Sequence, residues 1–169
     1  YIAVSCYEEA VDLREAGVGS DILILAPSPV FLAENIARLG CTQTIGDLDA
    51  ARGMSERLYG TGLTLRCHLK LETGMGRTGF RAGAEGELAQ VLEALRLPGL
   101  EWTGVFTHFA VSDEPDSNFT QLQFERFVSA VRELEELSQR PLGIKHCANS
   151  GAVVNFRQTC LDMVRPGLL

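Results

Sequence analysis

The chain has 169 residues, 46% of them hydrophobic, which suits one buried core and a single domain of ordinary size. It carries 15 basic and 22 acidic residues, for a formal net charge of -7, and this balance argues against a nucleic-acid partner. The longest apolar stretches are far too short to cross a bilayer, and the N-terminus has no basic-then-apolar signal pattern. We therefore expect one domain with neither a nucleic-acid surface nor a membrane segment.

The cysteines are scattered, without the paired spacing or density of a secreted disulfide framework. There are five, at Cys6, Cys41, Cys67, Cys147 and Cys160. This usage indicates a reducing, cytoplasmic location, and we expect no metal site.

Short apolar runs alternate with amphipathic segments from end to end, as in strand–helix units that build a parallel sheet. Strands are predicted at residues 2–5, 22–25, 42–45, 63–71, 104–107, 144–147 and 163–164. Helices are predicted at residues 7–15, 29–39, 47–59, 85–95 and 118–139, with a short one after Ser150. Asp47 is a candidate N-cap, Gly40 a candidate helix stop, and the last long helix has an apolar face. That face comprises Leu122, Phe124, Phe127, Val131 and Leu134.

Roughly seven such units with right-handed crossovers favour an α/β fold of the TIM type, an incomplete (β/α)8 barrel, over an open doubly wound sheet. A barrel that lacks a strand exposes two parallel edges and leaves its interior unfilled. We therefore expect residues 1–169 to be one partial barrel domain within a longer protein.

The fourth predicted strand alternates between an apolar and a polar face. In a barrel the helices cover the apolar face, so the polar face lines the lumen; the alternative is an edge strand with one solvated face. Lys70 and Glu72 fall at the carboxyl end of this strand, where barrel sites lie. The apolar set is Leu63, Leu65, Cys67, Leu69 and Leu71, and the polar set is Thr64, Arg66, His68, Lys70 and Glu72.

The loop at residues 73–79 has three glycines, which let a backbone approach a ligand closely but also serve in plain turns. Together with the strand end it reads LKLETGMGRTG, which resembles the lysine-to-arginine motif of alanine racemases. Three further segments agree in order: THFA at 107–110 with Asp113, HCANS at 146–150, and MVRPG at 163–167. The resemblance runs from the family's second barrel strand to its eighth, and implies a fold type III enzyme that uses pyridoxal 5'-phosphate.

By this resemblance, Lys70 corresponds to a lysine carried as N6-carboxylysine, and Arg77 to the arginine that it orients. A carbamate accepts hydrogen bonds from a guanidinium, whereas two cations repel each other. The resemblance implies that Arg77 contacts the substrate carboxylate and a tyrosine of a partner subunit, with the Met75 backbone also at that carboxylate. The alternative is an unmodified Lys70 that is ion-paired with Glu72.

The remaining motifs imply the cofactor site. His108 resembles the histidine beside the pyridine ring, although a strand-end histidine is often a hydrogen-bonded core residue. With His146, Asn149 and Ser150 resemble the segment that supports the ring and the phosphate. Ser150 opens a helix whose free N–H groups favour an anion, and a simple N-cap is the alternative.

Arg165 resembles the arginine that faces the pyridine nitrogen; the alternative is a surface arginine before a Pro-Gly turn. A guanidinium only donates, so that nitrogen stays unprotonated, which weakens the electron sink and limits side reactions. Gly167 and Leu168 resemble the backbone positions that complete the phosphate cup. Gly151 departs from the alanine usual in the family, and we expect only slightly more backbone freedom there.

The resemblance implies racemisation of L-alanine and D-alanine by a homodimer, for D-alanine supply to peptidoglycan. Inversion needs bases on opposite faces, and the family's lysine and tyrosine belong to a first barrel strand and a C-terminal β domain outside residues 1–169. We therefore expect this chain to be inactive alone. The alternatives are a serine/alanine racemase, another fold type III barrel enzyme such as a D-threonine aldolase, or a non-catalytic barrel that binds pyridoxal phosphate.

Overall fold

The computed structural model describes residues 1–84 and 86–167, which contain one curled parallel sheet and its helices. The strands are β1 (Ile2–Val4), β2 (Ile22–Ile24), β3 (Thr42–Ile45), β4 (Leu65–Glu72), β5 (Phe80–Arg81), β6 (Leu100–Phe106) and β7 (Ile144–His146). The helices are α1 (Tyr7–Glu15), α2 (Ala33–Arg38), α3 (Leu48–Leu58), α4 (Glu87–Ala94), α5 (Phe119–Ser138) and α6 (Ser150–Asn155). Single 3₁₀ turns lie at Val30–Leu32 and Arg157–Thr159.

The sheet order follows the chain order, which distinguishes a barrel from a doubly wound sheet. All the pairs are parallel, in the order β1-β2-β3-β4-β6-β7, and β5 pairs only with β4. The rings of His68 on β4 and His146 on β7 are 5.0 Å apart across the inner face, although β6 lies between their strands. Such a contact requires a curled sheet, so the predicted incomplete TIM-type barrel is confirmed.

One predicted strand is wrong. Residues 163–164 are not a strand; the segment has a single bridge, between Arg165 and Asn149. Asp162 N–H donates to Lys145 O (3.0 Å) and Arg165 N–H donates to Ala148 O (2.9 Å). These bonds are three residues apart on both segments, which does not match the two-residue repeat of a parallel ladder.

The other predicted elements exist with shifted ends: β6 begins at Leu100, four residues before its predicted start, and α2 begins at Ala33, after a 3₁₀ turn. The predicted start of the fourth helix, Glu85, lies outside the described residues, and the short β5 was not predicted. Asp47 caps α3 by accepting from Ala50 N–H at 2.7 Å, and Gly40, at φ +66°, follows the end of α2, so both signals are confirmed.

Strand β4 lies in the middle of the sheet and is buried on both faces, so it is not an edge strand. Leu65 and Leu69 are fully buried on one face, and on the other His68 is fully buried and Lys70 is 6% exposed. This matches the predicted division between a helix-covered face and a lumen, which puts ionisable groups inside the sheet.

In the first turn of helix α5, the buried face differs from the predicted one. Phe127, Val131 and Leu134 are buried as expected, but Leu122 is 40% exposed and Gln123 is fully buried. Steps of four residues from position 123 lead to positions 127 and 131, so Gln123 continues the buried side and Leu122 does not.

In the part of the chain that the structure describes, no helix is long and apolar enough to span a membrane. All five cysteines are free thiols.

Candidate active site

The predicted site residues gather at the carboxyl ends of the parallel strands. They line a narrow crevice, too small for a water molecule, and an adjoining open pocket, and the two share His108. Lys70, Met75, Arg77 and His108 line the crevice; His108, Asn149, Ser150, Arg165 and Gly167 line the second pocket. Leu168 lies outside the described residues.

Arg165 points into the protein and is bonded on several sides. Its Nη1 is 2.7 Å from His146 Nδ1, and its Nη2 donates to the carbonyls of Thr107 (2.8 Å) and Cys147 (3.2 Å). Burial lowers the pKa of the guanidinium to about 10. The alternative of a surface arginine is therefore wrong, and the charge of Arg165 lies inside the site.

A chain of hydrogen bonds leads from Arg165 to the two lumen histidines. The guanidinium only donates, so His146 Nδ1 accepts and the proton of neutral His146 is on Nε2, which lies 2.9 Å from His68 Nδ1. Burial, followed by the charge of Arg165, lowers the pKa of His146 to about 2 and that of His68 to about 4. Both rings are thus neutral at neutral pH, and Arg165 fixes their tautomers.

The sequence placed His68 in the lumen but gave it no part in the site. His68 lies against Gly104, where a Cβ would come within 2.6 Å of its Nε2, so only glycine leaves room for the ring. Two features of the sequence could have indicated this contact: the strict alternation of the strand predicted at residues 63–71, and Gly104 in the strand predicted at residues 104–107.

His108 is partly buried between cations. Burial is the largest effect on its imidazole, followed by the charges of Arg165, Arg77 and Lys70, and together they lower its pKa to about 4. The ring is therefore neutral at neutral pH and can supply one donor and one acceptor to the pocket.

Lys70 does not form the alternative ion pair. Its Nζ donates to Thr78 Oγ1 at 2.6 Å and lies 5.8 Å from the centre of the Phe106 ring. Burial, then the charges of Arg77 and Arg165, lower the pKa of the amine, and Glu72 offsets this only in part.

Glu72 is held by the glycine-rich loop instead. Its carboxylate accepts from the N–H groups of Gly74 (2.5 Å) and Arg77 (3.0 Å). Burial acts to raise the pKa of Glu72, but the loop N–H groups outweigh it and the pKa is lowered. The Arg77 side chain is exposed and has no hydrogen bond or ion pair with any described residue.

The first residue of α6 is hydrogen-bonded to the last residue that the structure describes. Asn149, rather than Ser150, is the N-cap: its Oδ1 accepts from Ala152 N–H (3.2 Å) and from Ser112 Oγ (2.5 Å). The alternative role of Ser150 as the cap is wrong. Ser150 Oγ accepts from Gly167 N–H at 2.9 Å, so the two residues assigned to the phosphate are in contact.

Gly151 provides space for a close backbone approach, and the expected small gain in backbone freedom stays a prediction. Its φ is not positive, and a Cβ there would lie 2.8 Å from backbone atoms of Ser112 and Asp113. Asn155 Nδ2 also donates to Ser112 O at 3.0 Å. The glycine lets the loop after β6 lie directly on α6 and form one wall of the second pocket.

Fold and site together define an α/β barrel domain with cationic and hydrogen-bonding groups at the carboxyl ends of its strands. The model of the alanine racemase N-terminal domain matches residues 1–169, and the chain belongs to this family.

The chain is similar to alanine racemase from Clostridium perfringens strain SM101, with 39% identity across 99% of the chain and 43% of that protein. Among solved structures, alanine racemase from Clostridium difficile 630 in complex with cycloserine superposes with a TM-score of 0.93 and 30% identity, over 99% of this chain and 46% of that one. Histidine racemase from Leuconostoc mesenteroides superposes with a TM-score of 0.84 and 26% identity, over 98% and 44%. The chain thus spans less than half the length of these relatives, which are amino-acid racemases.

Proposed function

We propose that the whole protein interconverts L-alanine and D-alanine with pyridoxal 5'-phosphate, and that residues 1–169 hold the cofactor and the substrate carboxylate. The observation that carries this proposal is the excess of positive charge in the site. Lys70, Arg77 and Arg165 lie close enough for both arginines to lower the pKa of Lys70, while Glu72 is engaged by loop N–H groups. Anionic ligands offset such charge.

The cofactor fits the residues of the second pocket. Ser150 and Gly167, beside the N-terminus of α6, would hold the phosphate, because N–H and O–H donors favour an anion. Arg165 and His108 line the same pocket and would face the pyridine ring. When bound, pyridoxal phosphate supplies an electron-withdrawing ring that acidifies the α-carbon of an attached amino acid.

Arg165 is suited to keep a ring nitrogen unprotonated. The guanidinium has no acceptor, and its contacts with His146, Thr107 and Cys147 leave it little freedom to move away. An unprotonated ring withdraws electrons more weakly than a protonated one, so Arg165 would favour racemisation over side reactions such as transamination.

Lys70 is suited to become N6-carboxylysine. A neutral amine attacks the carbon of CO2, forms an N–C bond and releases a proton, which leaves a carbamate anion. Burial and the two arginines favour the neutral amine by lowering its pKa, and the anion would offset their charges. The carbamate would orient Arg77, whose side chain and the Met75 backbone would then bind the substrate carboxylate.

The two bases that exchange the α-proton are proposed to lie outside residues 1–169, on a first barrel strand and in a C-terminal β domain. This chain alone would then be inactive, and a homodimer would complete the sites. D-alanine supply for peptidoglycan is the proposed use. The five free thiols agree with the proposed cytoplasmic location.

Racemisation by the whole protein tests this function, with chiral chromatography to follow L-alanine, L-serine and L-histidine in parallel. We expect D-alanine to form fastest and residues 1–169 alone to form none. Faster conversion of serine or histidine would instead assign another amino-acid racemase, a candidate that the histidine racemase neighbour favours. Cofactor binding without conversion of any amino acid would indicate a non-catalytic barrel.

A further inference from the structure

A buried amide in helix α5 links the two loops that carry the site. We propose that Gln123 is a positioning residue, which sets the glycine-rich loop after β4 against the segment after β6. The inference rests on the proposed function, because these loops carry Met75, Arg77 and His108. Gln123 is fully buried although it is a polar residue on a long amphipathic helix.

Each end of the amide is in use. Gln123 Oε1 accepts from Ala110 N–H at 2.9 Å, and Nε2 donates to His108 O and to Thr73 Oγ1, both at 3.2 Å. Thr73 Oγ1 is also 2.8 Å from Thr107 Oγ1. One side chain thus bonds to both flanks of the site, and it holds the backbone on each side of Phe109.

The first turns of α5 add two contacts with the same loop. Arg126 Nη1 donates to Thr73 O at 3.0 Å. Phe119 packs on Gly74 so closely that a Cβ there would lie 2.7 Å from Phe119 Cζ. The helix therefore fixes the loop where it leaves β4, three or four residues before Arg77.

Neither leucine nor glutamate, which are similar to glutamine in size, can replace both the acceptor and the donor of the Gln123 amide. A leucine would leave Ala110 N–H and His108 O without their partner, which removes the link between the two segments at a part-buried position. A glutamate could still accept from Ala110 N–H, but an ionised carboxylate would face the carbonyl of His108. The pair Gln123→Leu and Gln123→Glu therefore separates the acceptor from the donor.

Thr120 is the matched control. It is fully buried one turn earlier on the same helix, and its Oγ1 has no hydrogen-bond partner among the described residues. Thr120→Val keeps the shape and removes a hydroxyl that makes no bond, so the fold and the site should be unchanged.

Hydrogen exchange of the cofactor-free whole protein, read at residues 73–79 and 107–113, gives a measure that does not depend on catalysis. We expect Gln123→Leu to raise exchange at both segments about tenfold. Gln123→Glu should keep the Ala110 amide protected, and Thr120→Val should match the wild type.

The functional readouts are the kcat and KM for alanine and the absorbance band of bound pyridoxal 5'-phosphate. We expect Gln123→Glu, assayed well below its own unfolding temperature, to lower kcat about tenfold and to shift the band, because His108 and the loop are displaced. Unchanged exchange in both segments, or faster exchange with normal kcat and absorbance, would overturn the proposal. If Gln123→Leu does not fold, Gln123→Glu alone decides by the same criteria. A wild-type protein that binds the cofactor but does not racemise alanine refutes the proposed function, whereas exchange and absorbance still decide the role of Gln123.

Discussion

Arg165 and Arg77 lie at the same end of the sheet but are held in opposite ways. The Arg165 side chain is half-buried and bonded to His146 and two carbonyls, whereas the Arg77 side chain is exposed and has no partner in the described structure. Only the backbone of Arg77 is fixed, through its bond to Glu72. We infer that the protein builds Arg165, the cation proposed to face the cofactor ring, into the fold, and leaves Arg77, the cation proposed to bind the substrate carboxylate, to be ordered by an anion.

Replacement of Arg165 should have the largest effect on the free energy of unfolding. Arg165→Leu leaves His146 Nδ1 and two carbonyls without donors, and should lower the free energy of unfolding by about 3 kcal/mol. Urea unfolding of the whole protein measures this. Arg157→Leu is the control, because Arg157 is exposed and has no side-chain hydrogen bond or ion pair in the described chain; its change should stay within about 0.5 kcal/mol. Equal effects of the two variants would show that Arg165 is not built into the fold.

Replacement of the exposed Arg77 should instead lower activity and leave stability nearly unchanged. Arg77→Gln should leave the unfolding free energy within about 0.5 kcal/mol of wild type. It should nevertheless lower kcat/KM for alanine about a hundredfold, because the substrate carboxylate loses a charged donor. Steady-state kinetics alongside urea unfolding test this. A loss of stability without a loss of activity would assign Arg77 to the fold instead.

The neutral, buried His68 should make the stability of the protein depend on pH. The folded pKa of His68, about 4, lies below its ordinary value of about 6.5, so the unfolded chain binds the proton first as pH falls. Its contribution to stability is complete above the ordinary value and is lost as pH falls toward the folded value. Between about pH 6.5 and about pH 4, stability should fall by up to roughly 1.4 kcal/mol per pH unit for this group.

Urea unfolding across this range, compared with His68→Asn, measures the effect. The variant should show a shallower dependence on pH than the wild type. Identical slopes would mean that His68 is not held neutral by the fold.

Gly151→Ala should have the smallest effect. The added methyl would lie 2.8 Å from the backbone of Ser112 and Asp113, closer than real Cβ atoms pack, so the backbone of the loop must shift at a cost of about 1 kcal/mol. We expect weaker binding of pyridoxal 5'-phosphate with little change in kcat at saturating cofactor. Fluorescence titration gives the affinity, and Gly19→Ala is the control, because the φ of Gly19 is also not positive and no atom lies within 4 Å of its added Cβ. An unchanged affinity would remove Gly151 from the wall of the pocket.

The fold was largely predictable because barrel strands carry a local signal. The alternation of residues 63–72 indicated a strand with a helix-covered face and a lumen face, and Asp47 and Gly40 marked helix ends. The segment at residues 163–164 misled because a short apolar pair resembles a strand. The three-residue spacing of its bonds to Lys145 and Ala148 excludes a ladder, and spacing of that kind is a tertiary property.

The site was predictable at its motifs and not between them. Lys70, Arg77, His108, Arg165 and Ser150 stand in recognisable segments, and the structure brings them together. The roles of Gln123 and His68 could not be predicted, because the sequence around a lone glutamine or histidine does not indicate its hydrogen-bond partners. These partners lie 13 to 78 residues away in the chain.

Ser150, Gly167 and Arg165 are proposed to form a cofactor site that exists before the cofactor binds. A crystal structure of the whole protein with pyridoxal 5'-phosphate tests it most directly. We predict the phosphate at Ser150 and Gly167 and the pyridine nitrogen opposite Arg165, whose bonds to His146 and Thr107 stay in place. A phosphate bound at Lys70 and Arg77, or an Arg165 that releases His146 to reach the ring, would contradict the account.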